Sequence, residues 1–378
     1  MIFRAIIGVF IIVTILWDAF ETIILPRRVA RWFRLTRMFY LSTWIPWRAI
    51  ARRVRPIRTR ETFIGFFGPL SLLALFVVWA AGLTLGFAFL YESAANHDLT
   101  HPTFGTLMYL SGTTFFTLGM GDVVPHTQGE RNLAVLEAGL GFGFLALVIS
   151  YLPVIYQAFS RREVNIVLLD ARAGSPPTAA ELLRRHDGPH GFDALKQLLH
   201  EWERWSAQLL ESHISYPVVS YFRSQHSNES WLGALTAILD TSAFLIASVD
   251  NACSRQARLT FAMCRHTVVD LAQVFYATPR ATPTDRLPMS ELKRLRASLT
   301  DAGYQLRETV EADEKLTKLR GMYEPYLNAL SQYLYVELPP WILAKEVTDN
   351  WKTSAWGRIS GFAAADKGKE EVTADEHI

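Results

Sequence analysis

Hydrophobic residues are distributed in two ways along this chain. Up to about residue 160 they come in long runs; beyond it they recur every three or four positions. The first run, residues 2–25, reaches the roughly 20 residues needed to cross a bilayer only with Asp18 and Glu21 counted. Residues 63–91 contain no charged side chain, and residues 133–159 contain only Glu137. Between them lies 103–116, apolar, too short to cross, and carrying Gly105, Ser111 and Gly112, whose small size permits close helix packing. The pattern predicts an outer helix, a short helix that enters from outside and stops at mid-depth, a returning loop and an inner helix. Non-helical backbone at that depth is tolerated only where it is buried in protein or lines a water path, so the loop is a functional candidate.

After residue 164 the pattern is that of an all-helical domain. Gly174-Ser-Pro-Pro177 reads as a linker, and Thr178 with Glu181 as a capping box. Residues 192–212 form a clear amphipathic helix, with Leu195, Leu198, Leu199, Trp202, Trp205 and Leu209 on one face. Asn228 is placed to cap a helix ending near Val249, and 251–277 reads as another. Pro279, Pro283 and Pro288 mark a loop. Helices are expected over 290–303 and 304–336, the second broken near Gly321 and Pro325. Residues 238–248 are very apolar but too short to span, which predicts a buried core helix. From about residue 357 the chain is small and polar, the composition of a disordered tail. The expected fold class is an all-α membrane protein. Its segments are 1–26, an N-terminal transmembrane helix; 27–61, a basic amphipathic interfacial segment; 62–162, the domain of two spans with the short helix and returning loop between them; 163–356, a cytoplasmic helical domain; and 357–378, the tail.

Charge orients these pieces. Eleven arginines and no acid lie between Arg27 and Arg60, whereas residues 92–102 hold Glu92 and Asp98 and no Lys or Arg. The positive-inside rule puts the arginine-rich segment in the cytoplasm and that loop outside, with the N-terminus outside. No small-residue cleavage site follows the first apolar run, so a signal peptide is not expected. Among the arginines stand Trp32, Phe33, Phe39, Tyr40, Trp44 and Trp47, the mixture of an amphipathic helix in the inner headgroup layer, broken by Pro46 and Pro56. Nucleic-acid binding would need the same charges, but the flanking spans point to lipid. Asp18 and Glu21 share a helix face; they either reach the interface and pair with arginines or serve a helix contact or gate. Cys253 and Cys264 read as reduced core thiols, about 16 Å apart if on one helix and too far to bridge.

The loop itself reads Thr117-Leu-Gly-Met-Gly-Asp122. It resembles the selectivity-filter signature of two-transmembrane potassium channels, usually Thr-Val-Gly-Tyr-Gly-Asp, in bacterial ion channels with one pore loop per subunit. A dehydrated cation needs rings of oxygen in place of its water, and backbone carbonyls supply them if they all point one way. That requires alternating left-handed angles, which glycine adopts without a Cβ clash. The resemblance implies K+ at the carbonyls of Thr117, Leu118, Gly119 and Met120. The Thr117 hydroxyl would be innermost and Asp122 just outside, tying the loop down. Thr117, Gly119, Gly121 and Asp122 match the signature, over a likeness spanning about 63–162. Leu118 replaces Val, Met120 replaces the aromatic that packs behind the filter, and Phe116 stands where Thr is usual. The pore helix has no Trp.

The resemblance further implies a homotetramer in the cell (inner) membrane, because one pore loop is present and a filter ring needs four. It implies multi-pass topology with the C-terminal domain cytoplasmic. Gly141 falls at the offset of the family's inner-helix hinge; glycine for tight packing is the equal alternative. Pro153 removes a helix hydrogen bond near the inner mouth and is a second candidate gate element. Glu137 either supports the filter from behind or faces the outer vestibule. The expected function is a tetrameric, potassium-selective cation channel gated at the inner helix by its helical domain. A non-selective cation channel and a non-conducting membrane-anchored sensor or scaffold are the alternatives. The domain's ligand or protein partner is not readable. No voltage-sensor arginine series, phosphate-binding loop, metal cluster or catalytic constellation is present, so neither an enzyme nor a cofactor beyond the filter's potassium ions is expected. His200-Glu201-Trp-Glu203 reads as a solvated face, and Cys264, His266 and Asp270 make neither a metal site nor a catalytic pair.

Overall fold

A computed structural model describes residues 2–25, 34–95, 102–188, 191–226, 228–249, 253–281, 284–345 and 347–352. Expected features at Trp32, Phe33, Asp98 and the tail after 357 lie outside them. Helix α1 (Ile2–Ala19) ends in a π-helical turn, Phe20–Ile24. Helices α2 (Leu35–Ala51), α3 (Ile57–Gly65), α4 (Phe67–Ala94), α5 (Phe104–Phe115) and α6 (Gln128–Ala173) follow. Then come α7 (Ala179–Arg184), α8 (Gly191–Ser215), α9 (Trp231–Ser248), α10 (Ser254–Val274), α11 (Met289–Asp301), α12 (Val310–Gly321) and α13 (Glu324–Leu334). Among the described residues there is no β-strand, only an isolated antiparallel bridge between Val249 and Leu306. The chain is an all-α membrane protein.

Several local expectations are corrected. Pro46 does not break α2 but lies inside it, while Pro56 is the N-cap of α3. The inner helix does not end near Phe159; α6 continues to Ala173 with Pro153 inside it. Ser230, not Asn228, caps α9, its side chain accepting from the Gly233 amide. The Thr178 hydroxyl accepts from the Glu181 amide, one half of the expected capping box.

The chain divides into two compact units. The first comprises Met1–Ser160 and Glu211–Arg223, so a short piece of the segment expected to be cytoplasmic clusters with the pore region. Its core holds Ile12 and Ile15 of α1, Leu75, Trp79, Leu83, Phe87 and Tyr91 of α4, Leu107 and Phe115 of α5, and Tyr151 and Ile155 of α6. A second aromatic cluster joins Trp44, Phe67 and Tyr221, with Tyr40 stacked on Tyr221 at 5.6 Å.

Asp18 fixes α1 to α2 and α4. The α2 N-cap, Arg34, supplies no side-chain cap. Asp18 supplies it from another helix, accepting from the Thr36 amide at 3.1 Å and the Thr36 hydroxyl at 2.5 Å. It also accepts from Trp79 Nε1 at 3.0 Å. A buried carboxylate at a helix N-terminus satisfies orphan amides and faces the positive end of the dipole. Glu21 accepts from Trp17 Nε1 at 2.7 Å and pairs with Arg34 at 3.7 Å. The helix-contact reading therefore describes Asp18, and the arginine-pairing reading describes Glu21.

The second unit comprises Arg161–Leu210 and Ser224–Ile378. It is built around α9, every residue of which is buried, with α7, α10, α12 and α13 against it. This is the core helix predicted over 238–248. Asp240 in its middle pairs with Arg286 at 2.6 Å and accepts from the Tyr323 hydroxyl at 2.6 Å. Arg286 also pairs with Glu324 at 3.2 Å, and Arg320 with Glu324 and Asp285. A buried acid without such partners would oppose folding.

Candidate functional site

The site is a loop hung from the end of a short helix. The Thr103 hydroxyl caps α5 by accepting from the Thr106 amide at 3.2 Å. At the other end the Phe116 amide still donates to the Gly112 carbonyl. The chain then leaves the helix, and the Thr113 carbonyl accepts from the Leu118 amide at 2.8 Å. A carbonyl that would be orphaned at the helix C-terminus thus sets where the loop begins.

The backbone angles of the loop alternate. Thr117 has φ 56°, Gly119 φ 56° and Gly121 φ 78°, whereas Leu118 and Met120 have negative φ. A Cβ at Gly119 would meet nothing within 4 Å, so glycine is needed there for its angle and not for space. Thr117 is β-branched and adopts the same left-handed region at a cost of about 1–2 kcal/mol. Backbone strain of this kind collects at functional sites.

Outside the loop, Tyr109 of α5 donates to Asp122 Oδ1 at 3.2 Å. Asp122 is thereby tied to the pore helix by a residue that the sequence did not single out. Leu118, Met120 and Phe116 are exposed in the single chain. Phe115, by contrast, is buried, with its ring 5.7 Å from Phe144 of α6.

Behind the loop, α6 meets α5 at Gly141, where a Cβ would collide with the Phe115 carbonyl. That is the packing use of glycine; Gly139 and Gly143 face open space in the single chain. Glu137, one turn earlier, is fully buried. It lies behind the pore helix, accepting from the Tyr91 hydroxyl of α4 at 2.9 Å and lying 2.5 Å from Ser111 Oγ of α5. Tyr91 and Tyr109, which bond the two acids here, were not singled out in the sequence, and Ser111 was read only as a small packing residue. The one available signal was their polarity within apolar helices.

The lesser candidates belong to the second unit. His200 and Glu203 form a 3.9 Å pair, and the exposed His266 lies 3.8 Å from Asp270. Cys264 is buried against Ser206 Oγ at 3.0 Å. Neither cysteine is in a disulfide, and no cluster of metal-ligating side chains occurs among the described residues.

Four helical stretches are long and apolar enough to cross a membrane: Ile2–Ile24, Ile57–Ala94, Gln128–Ala173 and Trp231–Ser248. The last is the core helix of the second unit. A search of known proteins finds a membrane protein of Bacillus subtilis, called uncharacterized, 24% identical over 181 residues. The match covers 46% of this chain and 51% of that relative, so the chain spans about half the length of the curated relative it matches. No solved structure matches. Residues 74–157 match the family described as "Ion channel". Those residues hold most of α4, all of α5, the loop and α6 as far as Gln157, so that this stretch of the membrane protein is similar to the ion-channel family.

Proposed function

We propose that four copies of this chain surround one axis and form a potassium-selective channel in the cell membrane. Carbonyls of Thr117, Leu118, Gly119 and Met120 replace the water of K+, and neighbouring ions help each other leave. Asp122 favours cations at the outer mouth. The arginines of 27–61 lie at the cytoplasmic lipid surface, and the helical domain 163–356 is cytoplasmic. That domain biases a gate on the inner helix near Gly141 or Pro153, in answer to a ligand or protein of its own.

The observation that carries this reading is the left-handed backbone at Thr117, Gly119 and Gly121, every second residue of the loop. The exposure of the loop and of Val135, Phe142, Leu145 and Ile149 on α6 supports assembly, since a single chain leaves both without a covering partner. One specific observation favours a second reading. Met120 is 68% exposed and has not packed behind the loop, which leaves a softer, non-selective filter as the rival.

The deciding measurement is the reversal potential of the purified protein in planar bilayers, with potassium on one side and sodium on the other. A value near the potassium equilibrium potential supports the selective filter. A value near zero with robust current assigns a non-selective cation channel.

A further inference from the structure

Glu137 is the one charged residue type in the apolar run 133–159, and it is sealed inside a single chain at 0% exposure. Among the described residues it has no Lys, Arg or His partner. Its surroundings are two hydroxyls: Tyr91 of α4, 2.9 Å from Oε2, and Ser111 of α5, 2.5 Å from Oε1. Ser111 Oγ is also 2.8 Å from the Thr84 carbonyl oxygen of α4.

Counting hydrogens decides the arrangement. Tyr91 has one and gives it to Glu137. Ser111 has one and stands between two oxygens. A carbonyl oxygen accepts only, and an ionised carboxylate accepts only. With Glu137 ionised, Ser111 satisfies one oxygen and holds a bare lone-pair contact with the other. An unpaired carboxylate would also be buried at membrane depth without a cation, which is costly. With a proton on Oε1 every contact becomes a hydrogen bond: Tyr91 donates to Glu137, Glu137 donates to Ser111, and Ser111 donates to the Thr84 carbonyl.

We infer that Glu137 is a neutral carboxylic acid at the centre of a one-way hydrogen-bond chain that holds the pore helix between the outer and inner helices, and that it is a positioning residue for the filter. Ser111 lies one turn before Phe115, against whose carbonyl α6 makes its close contact at Gly141. The chain therefore fixes α5 at the level from which the loop departs. The positioning role rests on the pore reading above; the assignment of the proton does not.

Glu137→Gln keeps the pattern, since its amide carbonyl accepts from Tyr91 and its NH2 donates to Ser111. Glu137→Ala removes it. The test pairs infrared difference spectroscopy of the full-length protein in lipid (wild type minus Glu137→Gln) with K+ flux of both variants in vesicles. The expected spectrum contains the C=O stretch of a protonated carboxylic acid. The expected flux is near wild type for Glu137→Gln and lower by about tenfold or more for Glu137→Ala, which takes the carboxyl acceptor away from the buried Tyr91 hydroxyl. Loss of carboxylate stretches in place of the acid band overturns the proton assignment. A Glu137→Gln flux as low as that of Glu137→Ala overturns the positioning role. If the wild-type protein carries no ions, the pore reading fails by itself and the spectrum still decides the proton.

Discussion

Gly141 of the inner helix lies directly on the carbonyl of Phe115, the last residue of the pore helix, with no room between them for a Cβ. The obstacle is backbone on both sides, so no side chain can rotate away. Gly141→Ala is therefore expected to push α5 and α6 apart, costing about 1–3 kcal/mol, the usual penalty for overpacking. Thermal unfolding in detergent should show it as a lower midpoint, and Gly143→Ala, which meets nothing within one chain, is the control. If position 141 serves only as a hinge, the alanine variant will keep its thermal midpoint and change open probability alone.

Gly119 poses the opposite case, with ample space and a demanding angle. Its φ of 56° is held between Leu118 and Met120, and alanine there would be strained by about 1–2 kcal/mol in each subunit. Gly119→Ala is expected to abolish flux while leaving the oligomer intact. The measurement is K+ flux beside size-exclusion scattering. Full residual flux from an intact oligomer would remove the filter assignment.

These two glycines mark how far the sequence could be read. The need for left-handed angles at alternate residues follows from the Thr117-to-Asp122 motif itself, a local property. The pore helix was likewise local: an apolar stretch too short to cross, found within a residue of its expected ends. The Gly141 contact was not local. Gly141 was marked in the sequence by its offset from the loop, as a hinge or a packing glycine, and only the approach of α5 shows the packing contact, which Gly139 and Gly143 lack. The same holds for Glu137, whose partners lie 26 and 46 residues away. The inner helix was ended too early because its apolar run stops near Phe159. Its backbone has no reason to stop there, and Gly174, with φ 80°, first follows it at a left-handed angle. Asn228 lost to Ser230 because either can cap, and which one does depends on where α9 begins against its neighbours.

Asp18 offers a sharper test than ordinary truncation. All its recorded partners donate: the Thr36 amide, the Thr36 hydroxyl and the Trp79 indole. Asp18→Ala leaves these buried donors without an acceptor and is expected to destabilise by on the order of 3 kcal/mol. Asp18→Asn has nearly the same shape, but its NH2 faces a donor whichever way it is flipped, the Thr36 amide in place of Oδ1 or the Trp79 indole in place of Oδ2. It should therefore be almost as damaging, whereas Thr36→Ala, which keeps the amide contact, should cost about 1 kcal/mol. Unfolding midpoints of the three variants in one detergent check the order. An Asp18→Asn midpoint equal to wild type would mean that the carboxylate is not the cap.

Cys264 supplies a pH signature for the second unit. Burial pushes its thiol up to about 12, against an ordinary value of 9, with the Ser206 hydrogen bond lowering it and Glu203 raising it by smaller amounts. Burial also raises the thiol of Cys253. The thiolate is the reactive form, so in the folded protein both thiols should be nearly inert to alkylation at mildly alkaline pH. For Cys264 the sign is that of an acid whose folded value is raised. Its favourable contribution is complete below the unfolded value near 9 and is lost as pH rises through about 12, because the unfolded chain releases the proton first. Thiol titration should find no reactive thiol in the native protein at pH 8 and both after denaturation, with reactivity rising together with unfolding. Rapid labelling of Cys264 in protein that retains its native circular dichroism would show that α8 and α10 open locally around it.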